Sequence, residues 1–197
     1  MNNTESGKSV LTANLKKYTQ MDAAQIREIV EHVPMIEYKK RTVLLQQGFA
    51  PKCSYYLIKG CVRQYACNES GNEATVNFFT EEESINLFSF LDDDGLSLYS
   101  LACLEDCLVV ECPDIGNNAA GDEQPDIGNM KRLFFEKQFS DMQVSFTKFK
   151  FGTAEERFAF LVKSRPALLN RVPQIYLASY LGIAPETFSR FKKRMKP

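Results

Sequence analysis

From Met35 to Cys112 the apolar residues recur with a period of two or in short runs broken by turn residues, the pattern of half-buried and buried strands. It predicts strands near 35–39, 43–45, 55–59, 62–67, 74–79, 85–88, 98–103 and 108–112. Gly48, Gly60, Gly71 and Gly95 fall between them at loop spacing. Eight short strands in so small a span predict a β-barrel or jelly roll.

On both sides of this block the period changes to that of a helix. Residues 1–9 are polar and are expected to be disordered. Leu11, Leu15 and Tyr18 suggest a short helix. Asp22 opens a better one, with Gln25 placed for a capping box and Met21 and Ile26 for a hydrophobic staple. That helix runs through Ile29, Val30 and Val33 and stops before Pro34. His32, the only histidine, lies near its end and suits a helix-end or solvent role, since no second His completes a site.

A long helix is expected over 130–151. Phe135, Phe139, Met142, Phe146 and Phe149 follow spacings of 4, 3, 4 and 3, a heptad seam. A helix packed on its own barrel could show this spacing, but a seam this rich in Phe, on a helix linking two domains, better fits a two-fold dimer spine. Gly152-Thr153 then reads as a hinge, with Thr153 as N-cap and Glu156 completing another capping box. A helix over 154–163 packs Phe158 and Leu161 and is broken at Arg165-Pro166.

In the last stretch, Ile175, Leu177, Ala178 and Leu181 give one helix an apolar face, and Gly182 stops it. Ile183 plugs the gap, and Pro185 takes the first position of a second helix, over 185–195. Phe188, Phe191 and Met195 are expected to be buried, opposite Glu186, Thr187, Ser189, Arg190, Lys193 and Arg194. Two short helices around a tight Gly turn, with small Ala178 four residues before it, make a helix-turn-helix. The competing reading is an ordinary helical hairpin with a solvated basic face. The hydroxyls and Arg on the open face favour phosphates and base edges instead.

Charge sharpens this picture. The formal net charge is −1, yet residues 148–197 hold eleven Lys/Arg against three Asp/Glu, leaving thirteen against twenty-two in residues 1–147. An acidic body with a basic end is an electrostatic footprint for nucleic acid. No apolar run of membrane-spanning length and no signal peptide is present, so a cytoplasmic location with six reduced cysteines is expected. All six (53, 61, 67, 103, 107 and 112) fall in or beside the strands. The spacing Cys103-x3-Cys107-x4-Cys112 invites a metal reading, but strand alternation and the lack of a CxxC pair favour small buried hydrophobes. Pro113-Asp114-Ile115-Gly116-Asn117 recurs as Pro125-Asp126-Ile127-Gly128-Asn129, which reads as a duplicated flexible loop.

The order of elements, an α+β chain of N-terminal helices, β-roll, long helix and basic helix-turn-helix, resembles the Crp/Fnr family of bacterial transcription regulators. The matching stretches are Thr153-Ala154-Glu155-Glu156-Arg157, Arg171-Val172-Pro173-Gln174, Ala178-Ser179-Tyr180-Leu181-Gly182-Ile183 and Pro185-Glu186-Thr187-Phe188-Ser189-Arg190, and they look like the subgroup common in Bacteroidetes. The resemblance implies three regions: N-terminal helices and a cyclic-nucleotide-binding-like roll (1–129), a dimerisation helix (130–151) and a DNA-binding domain (152–197). It implies a homodimer on a palindromic operator in double-stranded DNA, with RNA polymerase as a further partner. By position, Glu186 and Arg190 look like base readers and Thr187 and Ser189 like phosphate-side contacts. Gln174 and Lys193 join the DNA-facing set. The family's frequent Arg at the start of the recognition helix is Pro185 here. Glu186 and Arg190, four apart, could instead form a surface ion pair.

Relatives that bind cyclic nucleotides use a Gly-Glu turn and an Arg-Ser pair. Here Ile85 and Asn86, followed by Leu87, stand where Gly and the acid belong, and the Arg-Ser position reads Tyr99-Ser100. With acidic runs at 81–83 and 92–94 alongside, a cyclic phosphate would be repelled. The effector domain is thus expected to be degenerate, serving another small molecule or none. The iron–sulfur branch's N-terminal cysteines are missing too, since no Cys precedes Cys53. No catalytic residue, cofactor, metal or membrane partner is expected. The rival function is a small-molecule-binding β-barrel whose C-terminal helices dock a protein partner.

Overall fold

The computed structural model describes residues 3–86, 90–113 and 125–195. The chain divides into two compact units, one of Met1–Gln64 with Phe78–Glu136, the other of Tyr65–Asn77 with Lys137–Pro197.

The strands form two four-stranded sheets: β1 (Met35–Tyr38), β2 (Val43–Leu45), β3 (Cys53–Lys59), β4 (Val62–Cys67), β5 (Glu73–Phe79), β6 (Ser84–Ile85), β7 (Ser100–Cys103) and β8 (Cys107–Pro113), of which the end of β4 and most of β5 fall in the second unit and the rest in the first. One sheet has the order β1-β8-β3-β6 and the other β2-β7-β4-β5. Antiparallel pairing sets Tyr56 opposite Val110 and Leu57 opposite Val109, with a register shift before Lys59. The apolar runs of β3 and β8 are unbroken because both faces are covered. Tyr55, Leu57, Cys107 and Val109 join the core with Leu45, Val62, Phe79, Ile85 and Leu101. Tyr56, Ile58, Leu108 and Val110 turn the other way, onto Leu11, Leu15, Ile26 and Val30 of the N-terminal helices.

Those helices are α1 (Asn3–Tyr18) and α2 (Ala23–His32). The expected disorder over residues 1–9 is corrected from Asn3 onward by α1, whose first turns are held by packing, while residues 1–2 lie outside the described residues. A Cβ on Gly7 would lie 2.7 Å from Leu108 Cδ2, so a glycine lets the helix approach the sheet. Lys8 Nζ also reaches Glu31 Oε2 at 2.6 Å. The α2 capping box is formed: Asp22 accepts from the Ala24 and Gln25 N–H groups, and the Gln25 side chain accepts from the Asp22 N–H. Met21 and Ile26 are both buried, as a staple requires. His32 is exposed at the helix end, its ring nitrogen 2.7 Å from the Glu28 carbonyl.

Strand β6 is shorter than the expected 85–88; Asn86 lies outside it, and residues 87–88 are not among those described. Helix α3 (Pro125–Phe151) begins five residues before the expected start. The second Pro-Asp-Ile-Gly-Asn copy is therefore helical rather than loop. Pro125 suits a first turn, where its missing N–H is no loss. The remainder of the first copy beyond Pro113 lies outside the described residues.

The second unit carries α4 (Ala154–Ser164), α5 (Leu168–Arg171), α6 (Gln174–Leu181) and α7 (Pro185–Arg194). The short α5 has no counterpart in the sequence reading. Phe158 packs edge-on against Phe188 at 5.3 Å and tilted against Phe191 at 5.4 Å, a three-ring core joining α4 to α7. Leu161, Leu168, Val172, Leu177, Ala178 and Leu181 complete it. Two expected core residues are corrected. Ile175 is 59% exposed and Met195 48% exposed. At 100° per residue Ile175 lies about 60° beyond Ala178, the edge of the buried arc of Leu177, Ala178 and Leu181. Met195 shares the Phe188–Phe191 face but is the cap residue beyond the last helical turn.

Candidate nucleic-acid interface

The turn between α6 and α7 is set by local chemistry. Gly182 has φ +63°, and its N–H donates to the Ser179 carbonyl at 3.0 Å while the Ile183 N–H donates to the Ala178 carbonyl at 3.0 Å. This bonding pair is a Schellman ending, with glycine at the left-handed position. Ala178 is fully buried on α6, as its small size in the sequence suggested. Pro185 opens α7, and Lys192, Lys193 and Arg194 occupy its last turn, complementing the helix dipole.

Phe188 and Phe191 pin α7 to the core, and this fixes which side faces out. Glu186, Arg190 and Lys193 are exposed at i, i+4 and i+7 on that side; Thr187 and Ser189 are half-buried at its edges. Pro185, Glu186, Ser189, Arg190, Lys193 and Arg194 border an open depression of about 720 Å³. Among the described residues no ion pair joins Glu186 to Arg190. Arg194 instead approaches Glu155 at 3.9 Å in an exposed pair of little energetic weight. Lys192 is spent internally, donating to the Leu169 carbonyl at 3.0 Å. Gln174 is exposed at the first position of α6, on a different helix from the other five.

Two features escaped the sequence reading. Arg157, half-buried on α4, donates through Nε to the Leu181 carbonyl at 2.9 Å and through Nη1 to the Gly152 carbonyl at 2.9 Å. It therefore ties the end of α6 to the residue preceding α4's cap. Thr153 and Glu156 form the capping box beside it, and the Thr153 N–H holds the Glu156 carboxyl below its ordinary range. Ser179 of α6 accepts from the Thr75 N–H at 2.9 Å, and Arg165 donates to Asn77 Oδ1 at 3.4 Å, so the β5 segment of this unit braces α6 and the end of α4. Arg157 stands within the Thr-Ala-Glu-Glu-Arg stretch, which was the available signal; nothing in the sequence pointed from Ser179 to Thr75.

Among the seam residues of α3, Phe135, Phe139, Met142, Phe146 and Phe149 are each about half exposed or more, with Phe146 highest at 63%. Phe149 has a further contact: its ring lies 3.2 Å from where a Gly182 Cβ would stand, and the Arg157 guanidinium lies 5.0 Å from its centroid.

The candidate effector positions are largely committed to the roll. Ile85 is fully buried and pairs with Tyr55 across β6 and β3. Ser100 is 3% exposed, and its Oγ accepts from the Gln47 N–H at 2.9 Å. The half-buried Tyr99 packs edge-on against Phe90 at 5.7 Å, and Asn86 is half-buried. Leu87 lies outside the described residues. The acidic runs serve turns: Glu81 accepts from the Gly60 N–H, Glu83 from the Thr80 N–H and Asp92 from the Asp94 and Leu96 N–H groups. No Lys or Arg occurs anywhere in residues 81–100.

The six cysteines are free thiols, four of them buried. Among the described residues no group of His, Cys, Asp or Glu could hold a metal ion, and no helix is long and apolar enough to cross a membrane.

Comparison with known proteins agrees with this architecture. Residues 35–114 match the cyclic nucleotide-binding domain family. Among curated proteins none matches the chain by sequence. A c-di-GMP responsive global regulator, CLP, of Xanthomonas campestris superposes with a TM-score of 0.66 at 19% identity, covering 89% of this chain and 92% of that one. FixK2 of Bradyrhizobium japonicum gives 0.67 at 18% identity, covering 83% and 84%. A CRP/FNR-family transcriptional regulator of Thermus thermophilus gives 0.63 at 15% identity, covering 82% and 85%. Residues 35–114 are therefore similar to a cyclic nucleotide-binding domain, and the chain taken whole resembles the Crp/Fnr regulators in its α+β fold.

Proposed function

We propose that this protein is a dimeric, sequence-specific DNA-binding transcription regulator, not an enzyme, whose effector domain has lost the means to hold a cyclic nucleotide. One observation carries the reading. Helix α7 is fixed by two buried Phe rings so that Glu186, Arg190 and Lys193 share an exposed face with Ser189 beside them. A helix of ten residues presenting Arg and hydroxyls in this way has the reach and chemistry for a major groove. Gln174 and Thr187 would contact the backbone beside it.

The exposed seam from Phe135 to Phe149 supports a homodimer, since a second copy's helix would cover these rings. Two recognition helices would then meet successive major grooves of a palindromic operator. RNA polymerase is the expected further partner, and the cytoplasm the expected location. In the effector domain, the burial of Ile85 and Ser100 and the lack of any cation in residues 81–100 leave a cyclic phosphate without a charged partner.

A salt titration of DNA affinity tests the reading. Phosphate contacts release counterions, so the logarithm of affinity should fall steeply and linearly with the logarithm of salt concentration. A flat response, or no DNA binding at low salt, would favour a barrel whose helices dock a protein.

A further inference from the structure

We propose that Glu111, with Tyr38 and Tyr55 beside it, is a binding site for a primary ammonium group carried on a short alkyl chain. Strand β8 alternates its faces. Cys107 and Val109 turn into the core of the roll, while Leu108 and Val110 face the N-terminal helices. Glu111, two residues after Val109, falls on the core-facing side. The bond it accepts from the Tyr38 hydroxyl holds its carboxylate there, since Tyr38 packs against that same core.

The neighbours of this carboxylate are neutral. Tyr55 stands opposite Glu111 in the β3–β8 register, and its ring meets that of Tyr38 edge-on, with centroids 6.4 Å apart and planes at 88°. Burial, and then the bond to Glu111, pushes the Tyr38 phenol up to about 12, and burial pushes Tyr55 up as well, so both stay protonated. Cys53, on the same face of β3, is a buried thiol that burial also pushes up. Among the described residues no Lys, Arg or His pairs with Glu111, and the bond from Tyr38 to Oε1 leaves Oε2 without a partner. A carboxylate drawn partly out of water against one neutral donor is under-compensated, and a cation completes it.

The site is reachable from solvent. Glu111 and Tyr38 are half-buried, and β1 pairs with β8 only as far as Met35 opposite Val110. Glu111 therefore has a strand on its β3 flank and none on the other. The arrangement also selects the cation. With Oε1 engaged by Tyr38, a guanidinium cannot make its two parallel bonds, whereas an ammonium needs a single acceptor. A quaternary ammonium has no N–H for Oε2 and would rely on the rings alone. The two rings give the methylenes of an alkyl chain an aromatic surface, with Tyr55, at 6% exposure, as its floor.

The test titrates the full chain, without DNA, with n-butylammonium chloride and follows the tyrosine ring resonances by NMR, against sodium chloride at equal ionic strength. Saturable binding is expected, with methylguanidinium and tetramethylammonium weaker by about tenfold or more, the weight of one hydrogen bond to a charged group. Glu111→Gln should abolish binding. Tyr38→Phe, which frees Oε1, should narrow the gap between n-butylammonium and methylguanidinium. A capped tripeptide with a central lysine separates two sources of the same chemistry: binding equal to n-butylammonium points to a lysine of a partner protein, exclusion to a free amine. Should Glu111→Gln fail to fold by circular dichroism, the order of ligands on the wild type decides. Shifts no larger than those with sodium, equal binding of n-butanol, or undiminished binding by folded Glu111→Gln would overturn the proposal.

Discussion

Arg157 Nε donates to the Leu181 carbonyl at 2.9 Å, so a residue of α4 holds the last turn of α6 just before the Gly182 turn. The same guanidinium bonds the Gly152 carbonyl and lies over the Phe149 ring, gathering the end of α3, the hinge and the helix-turn-helix at one side chain. Arg157→Ala should destabilise the protein by about 2–3 kcal/mol, because two carbonyls lose charge-assisted bonds in a half-buried site. Arg157→Lys should recover only part of this, since an ammonium lacks the planar fork that reaches both. Denaturant unfolding of both variants checks the order. Full recovery by Lys would mean that charge alone matters here.

The roll was legible in the sequence because strand alternation and turn glycines are local signals. The runs Tyr55–Ile58 and Leu108–Val110 read as strands without revealing that helices cover their second face. That face explains the one large error in the first unit. The start of α1 is polar and aperiodic, and it is held by Gly7 against Leu108 and by the pair Lys8–Glu31, contacts made far along the chain. The errors at Ile175 and Met195 have another origin. A helix of eight or ten residues has too few turns for periodicity alone to fix the limits of its buried arc. Of the candidate site, the open face of α7 was legible because Phe188 and Phe191 define its opposite. Arg157 and the Thr75–Ser179 bond were not, because each joins elements that only the fold brings together.

A homodimer through α3 should fall apart when its most exposed rings become charged. Phe139→Glu with Phe146→Glu places like charges at positions now 48% and 63% exposed, which the monomer tolerates and a symmetric seam does not. Sedimentation should show the wild type as a dimer at micromolar concentration and the double variant as a monomer that loses operator binding. A wild type that sediments as a monomer at that concentration would remove the dimer from the reading.

Cyclic AMP and cyclic GMP should not bind at physiological concentrations. A bound phosphate would find no Lys or Arg in residues 81–100, with Tyr99 where the cation would stand and Ile85 and Ser100 buried. Each unpaired phosphate oxygen adds a desolvation cost of about 1–3 kcal/mol or more. Calorimetry settles this; a micromolar dissociation constant for either nucleotide would show that the roll supplies donors elsewhere.

Arg190 and Lys193 should separate reading from holding. Both are exposed on the outer face of α7, but Arg190 lies at the middle of the helix, one turn after Glu186, and Lys193 lies in its last turn. In a groove-inserted helix the middle meets base edges, where a guanidinium pairs bidentately with guanine O6 and N7; losing such a pair costs about 1–3 kcal/mol of discrimination. Lys193 would reach only phosphate, as a point charge. Arg190→Ala should therefore weaken the specific operator about 5- to 150-fold more than random DNA, the same energy expressed as a ratio. Lys193→Ala should weaken both about equally and reduce the salt slope by about one. Competition binding on operator and scrambled duplexes across a salt series measures both effects. Equal losses on the two duplexes for Arg190→Ala would mean that α7 does not read sequence through Arg190.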